Sequence, residues 1–186
     1  EFDSVIKLLG VARNTPEGIE AGVYPVMLNR EHPLASVRNS FNAVFIHGDA
    51  VDDAMFYGRG AGEMPTASAV VGDVIDVARD IAYGCTGRIS CTCYRKLPVK
   101  PFGEAENKFF IRMQVKNRPG VLAQIAQVFG EHEVSIARVV QKNAKTEQAE
   151  LVIVTEKVKE LNMKDALSRL EKMENISEIS SVIREF

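Results

Sequence analysis

Residues 109–122 read FFIRMQVKNRPGVL, and this stretch decides the fold of the second half of the chain. Apolar residues occupy every second position of 109–116, which predicts a half-buried strand. The four residues Asn-Arg-Pro-Gly at 117–120 predict a turn. Beyond them the apolar residues have helical spacing until about Gly130. The stretch therefore predicts a strand that leads through a tight turn into a helix.

The residues downstream extend this unit to six elements. Strand-like patterns cover 134–141 and 149–155, with a turn at 143–145 between them. Asn162 is a candidate N-cap for a second helix. The predicted buried stripe of that helix comprises Met163, Ala166, Leu167, Leu170 and Met173. A last strand over 176–183 completes the order βαββαβ, which predicts a ferredoxin-like unit with both helices on one face of the sheet.

The first half of the chain has a different pattern. Strand-like stretches cover 5–12, 18–28, 41–47 and 54–57. Pro65 then suits the first position of a long helix, whose apolar residues over 66–83 form a broad face. Gly84 suits the C-terminal cap of this helix. We therefore expect a mixed α/β segment followed by the ferredoxin-like unit, and an α+β class for the whole chain.

Residues 85–108 separate the two blocks. Pro98, Pro101 and Gly103 interrupt every pattern there, so we interpret this stretch as a linker between a first domain at 1–84 and a second at 109–186. Its three cysteines lack the paired spacing of zinc sites. We expect Cys85, Cys91 and Cys93 to be reduced thiols and no metal to be bound.

The glycine-rich segment before the long helix is the strongest local signal of the first block. Gly58, Gly60 and Gly62 alternate with other residues just ahead of a helix N-terminus. Such a backbone can approach a ligand closely, and the helix start favours an anionic or polar group. The segment is not a Rossmann fingerprint, because Glu63 stands where the third glycine is required. Tight packing without any ligand explains the same pattern.

The first block resembles homoserine dehydrogenases. The resemblance is carried by GRGAG at 58–62 with PTASAV at 65–70, and by HPLA at 32–35, FNAV at 41–44 and MFYG at 55–58, all in the family's order. It implies that Gly58, Gly60 and Gly62 lie near the nicotinamide end of NAD(P). It also implies that the Rossmann domain and the catalytic lysine lie upstream. We therefore expect no catalytic residue in this chain, which starts inside a domain, and no activity from it alone.

The second block resembles an ACT domain, with Asn117, Pro119, Gly120, Val121 and Leu122 at the matching turn. Amide groups at a helix N-terminus suit the carboxylate of a free amino acid, although the same turn also caps helices that bind nothing. In the family context the resemblance implies feedback inhibition by threonine.

ACT domains commonly pair side by side, so we expect a homodimer in which Ile136 and its neighbours up to Val139 line the pocket of the partner chain. Arg138 is equally consistent with a pocket residue and with an exposed charge.

Composition excludes several other function classes. The chain has 186 residues and a formal net charge of −2, which does not favour nucleic acid or an anionic membrane surface. No apolar run is long enough to cross a bilayer. We therefore expect a cytoplasmic protein, and the resemblance to homoserine dehydrogenases implies a role in threonine, methionine and isoleucine biosynthesis.

Two rival hypotheses remain beside the dehydrogenase with a regulatory module. The chain could be a stand-alone amino-acid-binding protein that keeps the first block as a dimerisation platform. It could also have a purely structural role, with an ACT pocket that binds nothing. Binding of an amino acid distinguishes the last hypothesis from the other two.

Overall fold

The fold is seen in a computed structural model that describes residues 3–85, 87, 95–142 and 147–186. Two short 3-10 helices at Pro33–Ser36 and Phe102–Glu104 accompany the regular elements. The strands and helices are β1 (Ser4–Thr15), β2 (Gly18–Asn29), β3 (Phe41–Gly48), β4 (Asp52–Arg59), α1 (Glu63–Tyr83), β5 (Glu106–Lys116), α2 (Val121–Glu131), β6 (Ile136–Lys142), β7 (Gln148–Thr155), β8 (Val158–Lys159), α3 (Glu160–Leu170) and β9 (Ile176–Glu185). None of the helices in these described ranges is both long and apolar enough to span a membrane.

The second half of the chain forms the predicted ferredoxin-like unit. Its strands lie in the order β9-β5-β7-β6, and the three neighbouring pairs are antiparallel. Helices α2 and α3 pack on the same core, which includes Ile125 and Phe129 from α2 and Met163 and Leu170 from α3. The alternation over β5 places Ile111 and its apolar neighbours in that core because successive strand residues face opposite sides. The α+β class and the βαββαβ order are confirmed.

The hairpin formed by β1 and β2 extends the same sheet. Its twelve antiparallel residue pairs run from Ser4 with Asn29 to Thr15 with Gly18. Strand β2 then lies parallel to β9, giving the strand order β1-β2-β9-β5-β7-β6. The segment before β5 also reaches the hairpin, since the Ile19 amide donates to the Pro98 carbonyl over 2.8 Å.

The chain divides into two compact units. One comprises Glu1–Asn29 together with Leu97–Phe186, and the other comprises Arg30–Lys96. This division differs from the predicted boundaries at 84 and 108, because the first hairpin shares a sheet with the ferredoxin-like unit. The difference arises from strand pairing over a long sequence separation, which local patterns do not encode.

The unit Arg30–Lys96 contains the two-stranded sheet β3-β4 and helix α1. The helix begins at Glu63, so the predicted start at Pro65 is two residues late. Gly62 is the N-cap with a φ of 130°, and its carbonyl accepts from the Thr66 amide over 3.1 Å. Gly84 takes the left-handed conformation at the other end, which confirms the predicted C-terminal cap.

The predicted N-cap at Asn162 is wrong. Helix α3 begins at Glu160, and Lys159 is its N-cap. The Glu160 amide donates to the Ala105 carbonyl over 2.9 Å, so a tertiary contact provides the acceptor that a capping side chain would supply. The predicted stripe does face the core: Met163, Ala166 and Leu170 are buried there, and Leu167 and Met173 pack against it.

Candidate functional site

The turn between β5 and α2 holds the main candidate site. Strand β5 ends at Lys116, and the Lys116 amide donates to the Asn175 carbonyl over 2.9 Å. The Asn117 amide donates to the Glu147 carbonyl over 2.8 Å, so the residues just before β9 and β7 hold the turn. Gly120 then adopts a φ of 88° as the N-cap of α2. This is the left-handed region, which explains why glycine stands at this position.

Helix α2 presents backbone donors at this turn. Its first intrahelical hydrogen bond runs from the Gln124 amide to the Gly120 carbonyl over 3.1 Å. The amides of Leu122 and Ala123 therefore belong to the group that a helix leaves without an intrahelical acceptor. No side chain caps this end of the helix. The turn thus offers N–H groups and the positive end of the helix dipole to a ligand.

An open cavity of about 350 Å³ lies against this turn. It is lined by Val115, Lys116, Asn117, Arg118, Pro119, Gly120, Val121, Leu122, Gln141 and Leu151. The cavity is therefore bounded by helix-start amides, two cationic side chains and two side-chain amides, with apolar residues among them. A small zwitterion with a carboxylate matches these groups chemically, since the carboxylate accepts from N–H donors and the ammonium requires an acceptor.

Five of the six residues predicted for amino-acid binding lie together on this cavity: Asn117, Pro119, Gly120, Val121 and Leu122. Ile136 does not line it in this chain. It begins β6 and packs, partly buried, against the core. Its predicted role was in the pocket of a partner chain and stays a prediction. Arg138, two residues further on, is exposed.

Gln141 is one of the site residues that sequence reasoning missed. Its side-chain amide donates to Asn117 Oδ1 over 3.3 Å and so fixes the orientation of the Asn117 side chain. The two residues are 24 positions apart, on β6 and after β5, with β7 between these strands. Only knowledge of the strand order brings them together. The cations Lys116 and Arg118 were visible beside the turn but were not included among the site residues.

The glycine-rich segment is located in the other unit. Gly58 lies in β4 opposite Asn42, and Gly60 follows the strand with its amide donating to the Ser40 carbonyl over 3.2 Å. A Cβ atom at Gly60 would overlap the side-chain amide of Asn42. A Cβ atom at Gly58 would meet nothing within 4 Å. Local packing therefore accounts for glycine at 60 but not at 58.

One of the three cysteines, Cys85, lies among the residues that the structure describes. Cys85 is an exposed free thiol. Cys91 and Cys93 lie outside the described residues, so the expectation that all three are reduced thiols stays a prediction. Within the ranges that the structure describes, no group of three His, Cys, Asp or Glu side chains is arranged to hold a metal ion.

Comparison with protein families assigns both parts of the chain. Residues 1–75 match the family model described as homoserine dehydrogenase, and residues 109–175 match the model described as ACT domain. Among curated proteins, the homoserine dehydrogenase of Corynebacterium glutamicum is 39% identical over 184 residues, covering 96% of this chain and 41% of the relative. That of Pseudomonas aeruginosa is 36% identical over 179 residues, covering 92% of this chain and 41% of the relative.

Solved structures agree with this assignment. A homoserine dehydrogenase from Thiobacillus denitrificans superposes with a TM-score of 0.86 and 33% identity, covering 99% of this chain and 43% of that chain. A homoserine dehydrogenase from S. aureus gives a TM-score of 0.60 and 25% identity, and the match covers 99% of this chain and 42% of that chain. The chain thus spans less than half the length of the relatives it matches.

The two matched models define a homoserine dehydrogenase segment at residues 1–75 and an ACT domain at residues 109–175. The chain belongs to the homoserine dehydrogenase family.

Proposed function

We propose that this chain is the regulatory C-terminal part of an NAD(P)-dependent homoserine dehydrogenase. The enzyme would interconvert aspartate semialdehyde and homoserine in the cytoplasm, on the route to threonine, methionine and isoleucine. The ACT domain would bind threonine as a feedback inhibitor. The observation that carries the proposal is the cavity at the Gly120 turn, because it combines helix-start amides with Asn117 and Gln141 in the ACT part of the chain.

The chemistry of threonine fits these groups. The carboxylate would accept from the amides of Leu122 and Ala123 at the start of α2, where the helix dipole favours negative charge. An ammonium group can donate to a side-chain amide oxygen, and Asn117 Oδ1, which accepts from Gln141, is an oxygen of this kind beside the turn. The side-chain hydroxyl of threonine could donate to or accept from either amide. A hydrophobic amino acid lacks that last interaction, which gives a basis for discrimination.

Calorimetry tests the regulatory site. Threonine is titrated into the chain, and isoleucine, methionine and lysine are titrated separately as controls. We expect heat of binding from threonine that disappears in Gly120→Asp, because the new side chain is strained at a φ of 88° and its charge repels a carboxylate. Gly130→Asp is the matched control: the same substitution at an exposed position near the other end of α2, which should leave binding intact. Absence of heat from every amino acid would refute the proposal.

The first part of the chain would contribute scaffolding on the cofactor side of the enzyme. Gly58, Gly60 and Gly62 are proposed to approach the nicotinamide end of NAD(P) when the rest of the enzyme is present. The open space at Gly58 supports this, since a ligand that comes close to the backbone explains a glycine that local packing does not. The chain by itself is expected to be inactive. NAD(P)-dependent turnover of homoserine by this chain alone would contradict that expectation.

We further propose that the ACT domain pairs with a second copy through β6. This strand lies at one end of the sheet and pairs only with β7 among the described strands. An open edge of this kind favours pairing with another strand. Light scattering should give the mass of a dimer, and Val139→Pro, which removes a backbone donor within β6, should shift the population to monomer. A monomeric wild-type chain at high concentration would argue against the pairing.

A further inference from the structure

The contact between the β1–β2 hairpin and the ACT sheet is short. Only two residue pairs join β2 to β9, namely Val26 with Arg184 and Met27 with Glu185. One further backbone hydrogen bond runs from the Phe186 amide to the Met27 carbonyl over 3.1 Å. By contrast, β1 and β2 share twelve pairs. Side chains beside this short ladder therefore have a large part in holding the hairpin to the ACT domain.

A polar cluster lies at this ladder, formed by Arg13, Tyr24, Asn107, Glu160 and Arg184; we name it the Arg184 cluster. The Arg184 guanidinium donates two hydrogen bonds to the Glu160 carboxylate, over 2.6 Å and 2.7 Å. Asn107 Nδ2 donates to the same carboxylate over 2.8 Å, and Arg13 donates to Asn107 Oδ1 over 3.0 Å. The Arg184 guanidinium carbon also lies 4.4 Å from the centre of the Tyr24 ring.

The cluster joins five elements with buried groups. Arg13 and Tyr24 belong to the hairpin, whereas Asn107, Glu160 and Arg184 belong to β5, α3 and β9 of the ACT domain. Asn107 is 3% exposed and Glu160 8%. A buried charge or amide is costly when one partner leaves, so the cluster favours a fully engaged arrangement over partly separated ones. The cluster therefore stabilises the arrangement in which the hairpin lies against the ACT domain.

Strand β5 connects this cluster to the amino-acid cavity. Asn107 lies near the start of β5, and Lys116, which lines the cavity, is its last residue. The two positions are about 30 Å apart along an extended strand. Strand β5 pairs with both β7 and β9, so backbone hydrogen bonds join the strand that ends at the cavity to the strand that carries Arg184.

We propose that the Arg184 cluster couples occupancy of the ACT cavity to the β1–β2 hairpin, so that a bound amino acid changes how firmly the hairpin is held. The inference rests on the proposed binding of threonine at the Gly120 turn and adds the route by which that binding reaches residues matched to the dehydrogenase model. A ligand shifts such an equilibrium only if it binds one arrangement better, and the coupling is reciprocal.

Hydrogen–deuterium exchange of this chain tests the coupling. Exchange of β2 amides is measured with and without saturating threonine, and calorimetry verifies binding for each variant. We expect bound threonine to change the exchange rate of β2 by about fivefold or more, within the range of typical coupling. In Arg13→Met, which leaves the Arg184–Glu160 pair in place, the change should fall below about twofold while threonine still binds. Arg169→Met, on the exposed face of α3, is the matched control and should behave as wild type.

The outcomes separate the two proposals. Threonine that binds without altering β2 exchange would overturn the coupling and leave the binding site intact. An undiminished change in Arg13→Met would overturn the role of the cluster. If Arg13→Met fails to fold, Tyr24→Leu removes the aromatic face under Arg184 and serves the same purpose, with Tyr24→Phe as its conservative control. Absence of any heat of binding would refute the proposed function itself, and the coupling with it.

Discussion

Helices α1 and α2 have similar sequence patterns but different environments. Both combine an apolar face with polar residues on the other side. In α2, four of eleven residues are buried, namely Val121, Ile125, Val128 and Phe129. In α1, none of the 21 residues is buried, and its apolar side chains are exposed, including Val74 at 62% and Ile81 at 69%.

The contrast shows what an amphipathic pattern encodes. It specifies that a helix has a face to bury, but it does not specify what covers that face. For α2 the partner is the ACT sheet within this chain. For α1, a contiguous exposed apolar surface of this kind is typical of an interaction site. We propose that further parts of a homoserine dehydrogenase cover it, consistent with a chain that spans less than half the length of its relatives.

The largest expected difference between the two units comes from one substitution made in each helix. Ile125→Ala removes a fully buried side chain from α2 and should lower the free energy of unfolding by about 2–5 kcal/mol. Ile81→Ala removes an exposed side chain from α1 and should change it by no more than about 0.5 kcal/mol. Urea unfolding of this chain measures both. Equal losses would mean that α1 is buried in solution, and the contrast would fail.

Two threonine substitutions, one buried and one exposed, should show a smaller difference in the free energy of unfolding. Thr155 is fully buried, and its hydroxyl accepts from the Phe109 amide over 3.0 Å. Thr155→Val leaves that buried amide without its acceptor and should cost about 1–3 kcal/mol. Thr66→Val, at an exposed position of α1, should be within about 0.5 kcal/mol of wild type. Thermal unfolding of both variants provides the measurement, and a stable Thr155→Val would contradict the role given to this hydrogen bond.

An ion pair in the unit formed by Glu1–Asn29 and Leu97–Phe186 should make the stability of that unit fall at alkaline pH. Lys100 Nζ lies 2.8 Å from Glu20 Oε1, and this hydrogen bond raises the pKa of Lys100 above its usual value. Because the pKa is higher in the folded state, the stabilisation is present below the unfolded pKa of about 10.4 and is lost as pH rises through the folded pKa. The difference between the unfolding midpoints of wild type and Lys100→Met should therefore shrink as pH rises through the folded-state pKa of Lys100. Lys164→Met, at an exposed position, is the control. A difference between the midpoints of wild type and Lys100→Met that stays the same at alkaline pH would argue against the ion pair.

The smallest effect on stability is expected at Gly58. A Cβ atom there meets no other group, so Gly58→Ala should leave the unfolding free energy of this chain within about 0.5 kcal/mol of wild type. In the proposed full-length dehydrogenase the same change should raise KM for NAD(P), because the added methyl group enters the space assigned to the cofactor. Gly130→Ala in α2 is the matched control. An unchanged KM in Gly58→Ala would remove the support for a cofactor role.

Local patterns predicted the elements of the chain well. Alternation and helical spacing predicted the strands and helices of the ACT domain to within a few residues, since each pattern reflects burial on one face. Errors at helix starts have local causes. Gly62 starts α1 ahead of Pro65 through its positive φ, and the Ala105 carbonyl receives the first amide of α3 in place of a capping side chain.

Relations over long sequence separations could not be predicted in this way. Val26 and Arg184 pair across 158 positions, and nothing in either segment indicates the other. The same holds for Gln141, which joins Asn117 only because β7 lies between β5 and β6. Five residues of the candidate site were predicted because they lie in one short stretch of sequence that resembles the turn of ACT domains. The partner that orients Asn117 and the cluster around Arg184 required the three-dimensional arrangement.

The central claim is that the turn between β5 and α2 binds a free amino acid. Amide NMR spectra of this 20.5 kDa chain, recorded during a titration with threonine, test it most directly. We expect the largest shifts at the backbone amides of Gly120, Leu122 and Ala123, together with the side-chain amides of Asn117 and Gln141. Unchanged signals at this turn, or shifts concentrated elsewhere in the chain, would contradict the account.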